Sequence, residues 1–114
     1  MLFHTFEIGG KEYKGRLSAR SCVELEKKLG TNPLNVFMEI AQKGQMPNIE
    51  TIVVMLHASL QQFNHGISLD DTYDLYDKFV DEGHTLMDLI PILLEIFKVS
   101  GLMPEEDKVD AKNA

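Results

Sequence analysis

The first residues alternate in part between the two sides of an extended chain. Leu2, His4, Phe6 and Ile8 fall on one side, and a second short run, "KEYKGRL", follows Gly9-Gly10. Two such runs joined by Gly-Gly read as a β-hairpin with a tight turn, because glycine supplies the positive φ that the turn needs. Two strands alone are marginal, so the hairpin, over residues 2–17, must lie on helices or join another sheet.

From residue 18 on, the apolar spacing changes to that of helices, and each of five segments carries its own start and stop. Ser18 or Ser21 opens the first, with Glu24 at capping-box spacing from Ser21, and Gly30 ends it. Asn32-Pro33 opens a second as cap and first helical residue, and Gly44 ends it. Asn48 begins a third that runs to about Phe63. Ser68 begins a fourth with Asp71 three residues on, and Gly83 ends it. Thr85 begins a fifth with Asp88 three residues on, and Gly101 ends it. The expected fold is α+β and mainly α: a hairpin followed by a compact bundle of about five short helices. These form a single domain over residues 1–103, and an acidic, disordered tail fills 104–114.

The third helix places Ile49, Ile52, Val53, Leu56, Leu60 and Phe63 on one narrow core face. Val54 and Met55 fall off that face, toward a neighbouring helix or another subunit. In the fifth, Leu86, Met87, Leu89, Ile90, Ile92, Leu93, Leu94, Ile96, Phe97 and Val99 cover about two-thirds of a helical wheel. An ordinary surface helix needs about 100° of apolar arc. Either this is a central helix wrapped by the other elements, or another chain covers part of it. Pro91 lacks the N–H that a helix interior uses, so the helix starts late, near Asp88, or bends there; the late start is the simpler reading.

The fourth segment is acidic. Asp70, Asp74, Asp77 and Asp81 follow i, i+4, i+7, i+11 and share one stripe, while Leu69, Tyr73, Tyr76 and Val80 form another, widened by Leu75 and Phe79. The spacing of the acids does not match an EF-hand loop, which also needs a glycine at its sixth place. The stripe reads as a solvated face or as a docking surface for a basic partner.

Composition narrows the chemistry. A net charge of −7 over 114 residues disfavours a nucleic-acid surface and an anionic membrane. The most apolar stretch, residues 86–99, is too short and too charged to span a bilayer. Cys22 is the single cysteine, which excludes an internal disulfide, suits a reducing cytoplasm and reads as buried and structural. His4, His57, His65 and His84 show no metal-ligand spacing and read as surface or cap residues. No nucleophile elbow and no phosphate loop occurs. These patterns point to no catalytic residues, no metal and no cofactor.

"FEIGGKEYKGRLSARSCVELEKKLGTNPL" and "DEGHTLMDLIPILLEIFKVSGL" together resemble the tail assembly chaperones of long-tailed, non-contractile bacteriophages, over most of residues 1–103. The resemblance implies a small non-enzymatic assembly factor that binds the long apolar tape measure protein and keeps it soluble until the tail tube forms. It implies contact with the tape measure protein and possibly the tail tube protein, action in the bacterial host cytoplasm, and absence from the mature virion. A frameshifted longer form commonly accompanies such proteins. An acidic surface joined to a wide apolar helical face suits that role, and the six methionines suit an adaptable groove. Several copies on one long client would also favour self-association. The candidate contact residues are Met55, Met87, Ile90, Leu94 and Phe97 on the apolar side and Asp70, Asp74, Asp77 and Asp81 on the acidic side. The rival reading is a small acidic adaptor or antirepressor-like module that binds a basic protein through the Asp stripe.

Overall fold

The computed structural model describes residues 2–104. Its first element is the expected hairpin: β1 (His4–Ile8) pairs antiparallel with β2 (Lys11–Gly15), with Phe6 opposite Tyr13 and Ile8 opposite Lys11. Gly9 and Gly10 turn the chain at φ 63° and 75°, values natural to glycine and matched to the twist of the strands. Phe6, Ile8 and Tyr13 are buried against the helices, and the polar residues between them face water.

Five helices follow: α1 (Ala19–Leu29), α2 (Leu34–Lys43), α3 (Ile49–Leu60), α4 (Leu69–Asp81) and α5 (Leu86–Val99). Most start signals behave as expected. The Ser18 hydroxyl accepts from the Ser21 N–H at 3.1 Å, so Ser18 is the cap and the Ser21–Glu24 box is not used. The Asn32 side chain accepts from the Leu34 N–H at 3.0 Å, across Pro33. Ser68 and Asp71 form a reciprocal capping box, both bonds at 3.0 Å. Asp88 accepts from the Thr85 N–H at 2.8 Å. α1 and α2 end on left-handed Gly30 and Gly44.

The core is built on α3 and α5, with the hairpin laid across their ends. Three of its backbone N–H groups tie the hairpin to the helices. The Gly9 N–H donates to the Glu82 carboxylate at 2.9 Å, the Arg16 N–H to the Ser59 carbonyl at 2.9 Å, and the Leu17 N–H to the Ser100 hydroxyl at 2.9 Å. The hairpin thus supplies donors to the carbonyl end of α3 and to side chains just beyond α4 and α5. The bond from Gly9 also offsets the poor placement of Glu82 at the negative end of the α4 dipole.

Several sequence expectations are corrected. α3 stops at Leu60, where the Asn64 side-chain amide donates to the Leu60 carbonyl at 3.0 Å and to that of Lys14 at 3.2 Å. Phe63 therefore leaves the core face; it is exposed and stands edge-on to Phe3, centroids 5.3 Å apart. Ile49 is exposed as well, whereas Met55 is fully buried. α4 is turned relative to the expected stripe: Thr72, Leu75 and Phe79 are buried, and Leu69 and Val80 are exposed. The Thr72 hydroxyl donates to the Ser68 carbonyl at 2.9 Å, which removes the cost of burying it.

α5 does not start late: it begins at Leu86, and Pro91 lies inside Leu86–Val99. Pro91 and Met87 are both exposed, so the carbonyl of Met87, whose donor Pro91 lacks, sits on the solvent side where water can reach it. Cys22 is half-buried, not buried; burial and then the nearby Glu26 carboxylate push its thiol pKa up. The expected acidic tail lies, from residue 105 on, outside the described residues.

Candidate functional site

α2 is the least engaged helix. Its backbone approaches the other elements far less closely than those of α1, α3, α4 and α5 approach one another. Phe37 is its one buried residue, and Leu34, Val36 and Ile40 are half-buried beside it. Phe37 meets Phe97 of α5 edge to face, ring centroids 4.9 Å apart at 86°. The space between the two helices is an open groove of about 540 Å³, lined by Leu34, Phe37, Met38, Ile40 and Ala41 from α2, Ile90 and Leu94 from α5, and Leu102, Met103 and Pro104.

Every lining residue is apolar. Leu34, Phe37, Met38 and Ala41 follow i, i+3, i+4, i+7, so the amphipathic period of α2 builds one wall. Ile90 and Leu94 build the other. At Gly101 the chain reverses: the Leu102 N–H donates to the Phe97 carbonyl at 3.0 Å. This turn brings Leu102, Met103 and Pro104 into the groove lining. Without polar groups converging on it, the groove cannot fix a small polar molecule or polarise a bond. It can receive apolar side chains.

The sequence candidates divide. Ile90 and Leu94 are in the groove. Met87, exposed, shares their stripe at i, i+3, i+7 and prolongs it along α5. Met55 and Phe97 are each 0% exposed and belong to the protein's own core, so neither touches a partner in this fold. Asp70, Asp74, Asp77 and Asp81 are all exposed on α4. No residue of α4 lines the groove, so the acidic stripe and the apolar site are separate surfaces.

The wide apolar arc of α5 is largely sheltered. Leu89, Ile90, Leu93, Ile96 and Phe97 are buried, Leu86, Ile92, Leu94 and Val99 are half-buried, and Met87 is exposed. The unfilled surface lies where α5 faces α2. Local signals mark only the start of α2 at Asn32-Pro33 and its stop at Gly44; the regular spacing of Leu34, Phe37, Met38 and Ala41 was the available signal for the wall.

Other polar sites are modest. His57, half-buried, lies 3.1 Å from the Ile67 carbonyl through Nε2. Burial lowers its pKa, the bond to Ile67 works the other way, and Lys28 lowers it further. With Arg20, Glu24, Lys28 and Gln61 it lines a shallow cleft between α1 and α3. His84 stacks on Phe79, centroids 4.4 Å apart. Among the described residues no group of three or more His, Cys, Asp or Glu is placed to hold a metal, and no helix is long and apolar enough to cross a membrane.

The chain belongs to DUF6096. This is a family of unknown function whose profile matches residues 2–114. No curated protein and no solved structure matches the chain.

Proposed function

We propose that this DUF6096 protein is a non-enzymatic binding module that seats an apolar helical segment of another polypeptide between α2 and α5. The observation that carries the reading is an open groove of about 540 Å³ with an unbroken apolar lining. An exposed apolar surface of this kind marks an interaction site, and two apolar helical walls suit the helix-in-groove mode. Combined with the resemblance in residues 1–103, the specific form of the proposal is a phage tail assembly chaperone. Its client would be the tape measure protein, with the tail tube protein as a second contact. It would self-associate along the client, work in the host cytoplasm and be absent from the virion.

Co-expression with the tape measure protein of the same genome tests this. Soluble client should rise with the wild type and fall back with Met38→Glu or Ala41→Glu, which place a charge on the exposed α2 wall without entering the core. A client equally soluble with and without this protein would refute the chaperone form. The rival, an adaptor for a basic protein, is favoured by the four exposed aspartates of α4. It requires that Asp74→Lys with Asp77→Lys abolish binding and that binding weaken steeply with salt.

A further inference from the structure

We infer that the outer edge of β1 takes an added extended strand of another protein, with Lys or Arg opposite Glu7. This surface is separate from the α2–α5 groove and does not depend on it. In a two-residue hairpin the pair flanking the turn is hydrogen-bonded, and bonded and non-bonded pairs alternate from there. Ile8–Lys11, Phe6–Tyr13 and His4–Gly15 are therefore the bonded pairs. The N–H and C=O groups of Thr5 and Glu7 point away from β2.

The two edges of the hairpin differ. On β2 the Lys14 carbonyl accepts from the Asn64 amide at 3.2 Å, and the Arg16 N–H just beyond donates to the Ser59 carbonyl at 2.9 Å. On β1, among the described residues, no group outside the hairpin bonds to Thr5 or Glu7, and both are exposed. Nothing blunts this edge: His4–Ile8 holds no proline, no lysine and no bulge. Its free length ends at Gly9, whose N–H is taken by Glu82. An unpaired edge of this kind accepts an extended segment through main-chain bonds.

Charge and exposed apolar surface define the partner's chemistry. Glu7 stands directly opposite Glu12 on the solvent face, where like charges repel, and neither forms an ion pair among the described residues. The cations of the hairpin are turned aside: the Lys11 ammonium lies 5.3 Å from the Tyr13 ring centroid and that of Lys14 4.9 Å from the Phe3 centroid. Lys78, beside Gly9, forms no ion pair with either acid. Glu82 adds a third acid at the turn end. A cation on an added strand opposite Glu7 relieves this repulsion. A second copy of this chain brings a second net charge of −7 instead. Just ahead of β1, Leu2 is 71% exposed, and an added strand that runs past His4 covers it with an apolar residue. The fitting occupant alternates basic and apolar residues.

Short fluorescent peptides that alternate valine with Lys or with Glu, titrated against the full chain, test this by anisotropy. The Lys peptide should bind about fivefold tighter than the Glu peptide at low salt, and Glu7→Lys should erase that preference. N-methylation of alternate peptide residues should abolish binding in one phase and spare it in the other, because only one set of N–H groups faces β1. Bound Lys peptide should slow amide exchange at Thr5 and Glu7 in the unmodified protein. Thr5→Pro removes an N–H that lies outside the hairpin ladder and should weaken binding about tenfold. Met38→Glu, on the groove, should leave all of this unchanged. Equal affinity for the two peptides, equal effects of the two N-methylation phases, or unaltered exchange at Thr5 and Glu7 would each overturn the inference. So would a dimer in sedimentation that Thr5→Pro dissolves, since a second copy would then hold the edge. None of these outcomes bears on the groove.

Discussion

Phe37 of α2 stands nearly perpendicular to Phe97 of α5, ring centroids 4.9 Å apart, and Phe37 also lines the groove. Phe97 is 0% exposed and Phe37 8%, so the pair joins the deepest layer of the core to its most loosely held helix. Phe37→Ala should therefore cost about 3 kcal/mol, the lower range for deleting a buried ring. Much of the effect should be local. Amide exchange in residues 34–43 should rise by orders of magnitude while α3 and α5 stay protected. Uniform loss of protection across all helices would show instead that α2 is integral to the cooperative unit.

Gly15 is buried at the end of β2 because the hairpin lies directly on α5. A Cβ there would stand 2.6 Å from Ile96 Cδ1 and 3.2 Å from Phe6 Cε1. Gly15→Ala should destabilise by about 1–3 kcal/mol through overpacking. Ile96→Val removes the closest methyl. The double variant should therefore lose less than the sum of the two single losses, a coupling measurable by denaturant titration. Strict additivity would contradict the packing seen between β2 and α5.

Pro91 occupies an exposed position inside α5. Pro91→Ala restores a donor for the Met87 carbonyl and should stabilise the protein by about 1–2 kcal/mol, after allowing for the looser unfolded chain. Thermal unfolding reads this directly. A lowered melting temperature would mean that the proline relieves a strain that an ideal helix would reintroduce.

Asp71 and His57 give two separate pH effects. Bonds from the Ser68 backbone and hydroxyl hold the Asp71 pKa below its usual value. The stabilisation of the α4 start is therefore present above the ordinary carboxylate range and lost as pH falls through the depressed value. Asp71→Asn should flatten that acid limb. Burial lowers the His57 pKa, so the fold prefers the neutral ring. Its contribution is present above about pH 6.5 and lost as pH falls through the lower folded value. His57→Gln should remove this mildly acidic component of the stability profile and leave the Asp71 component unchanged. Stability curves from pH 3 to 8 separate the two, and an unaltered curve for either variant would contradict its assignment.

The hairpin and the number and order of the helices were set by local chemistry. Gly9-Gly10 admits few turns, and Ser18, Asn32, Ser68, Gly30 and Gly44 act within a few residues of themselves. What each helix face touches is a different matter, since periodicity defines a stripe but not its neighbour. Met55, off the expected stripe, is buried because α3 is surrounded on several sides. Leu69 and Val80, on it, are exposed because α4 turns Thr72, Leu75 and Phe79 inward. The acidic stripe was legible as a water-facing surface, because charge is costly to bury wherever the helix lies. The groove was not legible. It is assembled from α2, whose one buried residue is Phe37, from α5, and from residues 102–104, which the turn at Gly101 brings beside them. No single stretch of sequence records the distance between two helices packed far apart in the chain.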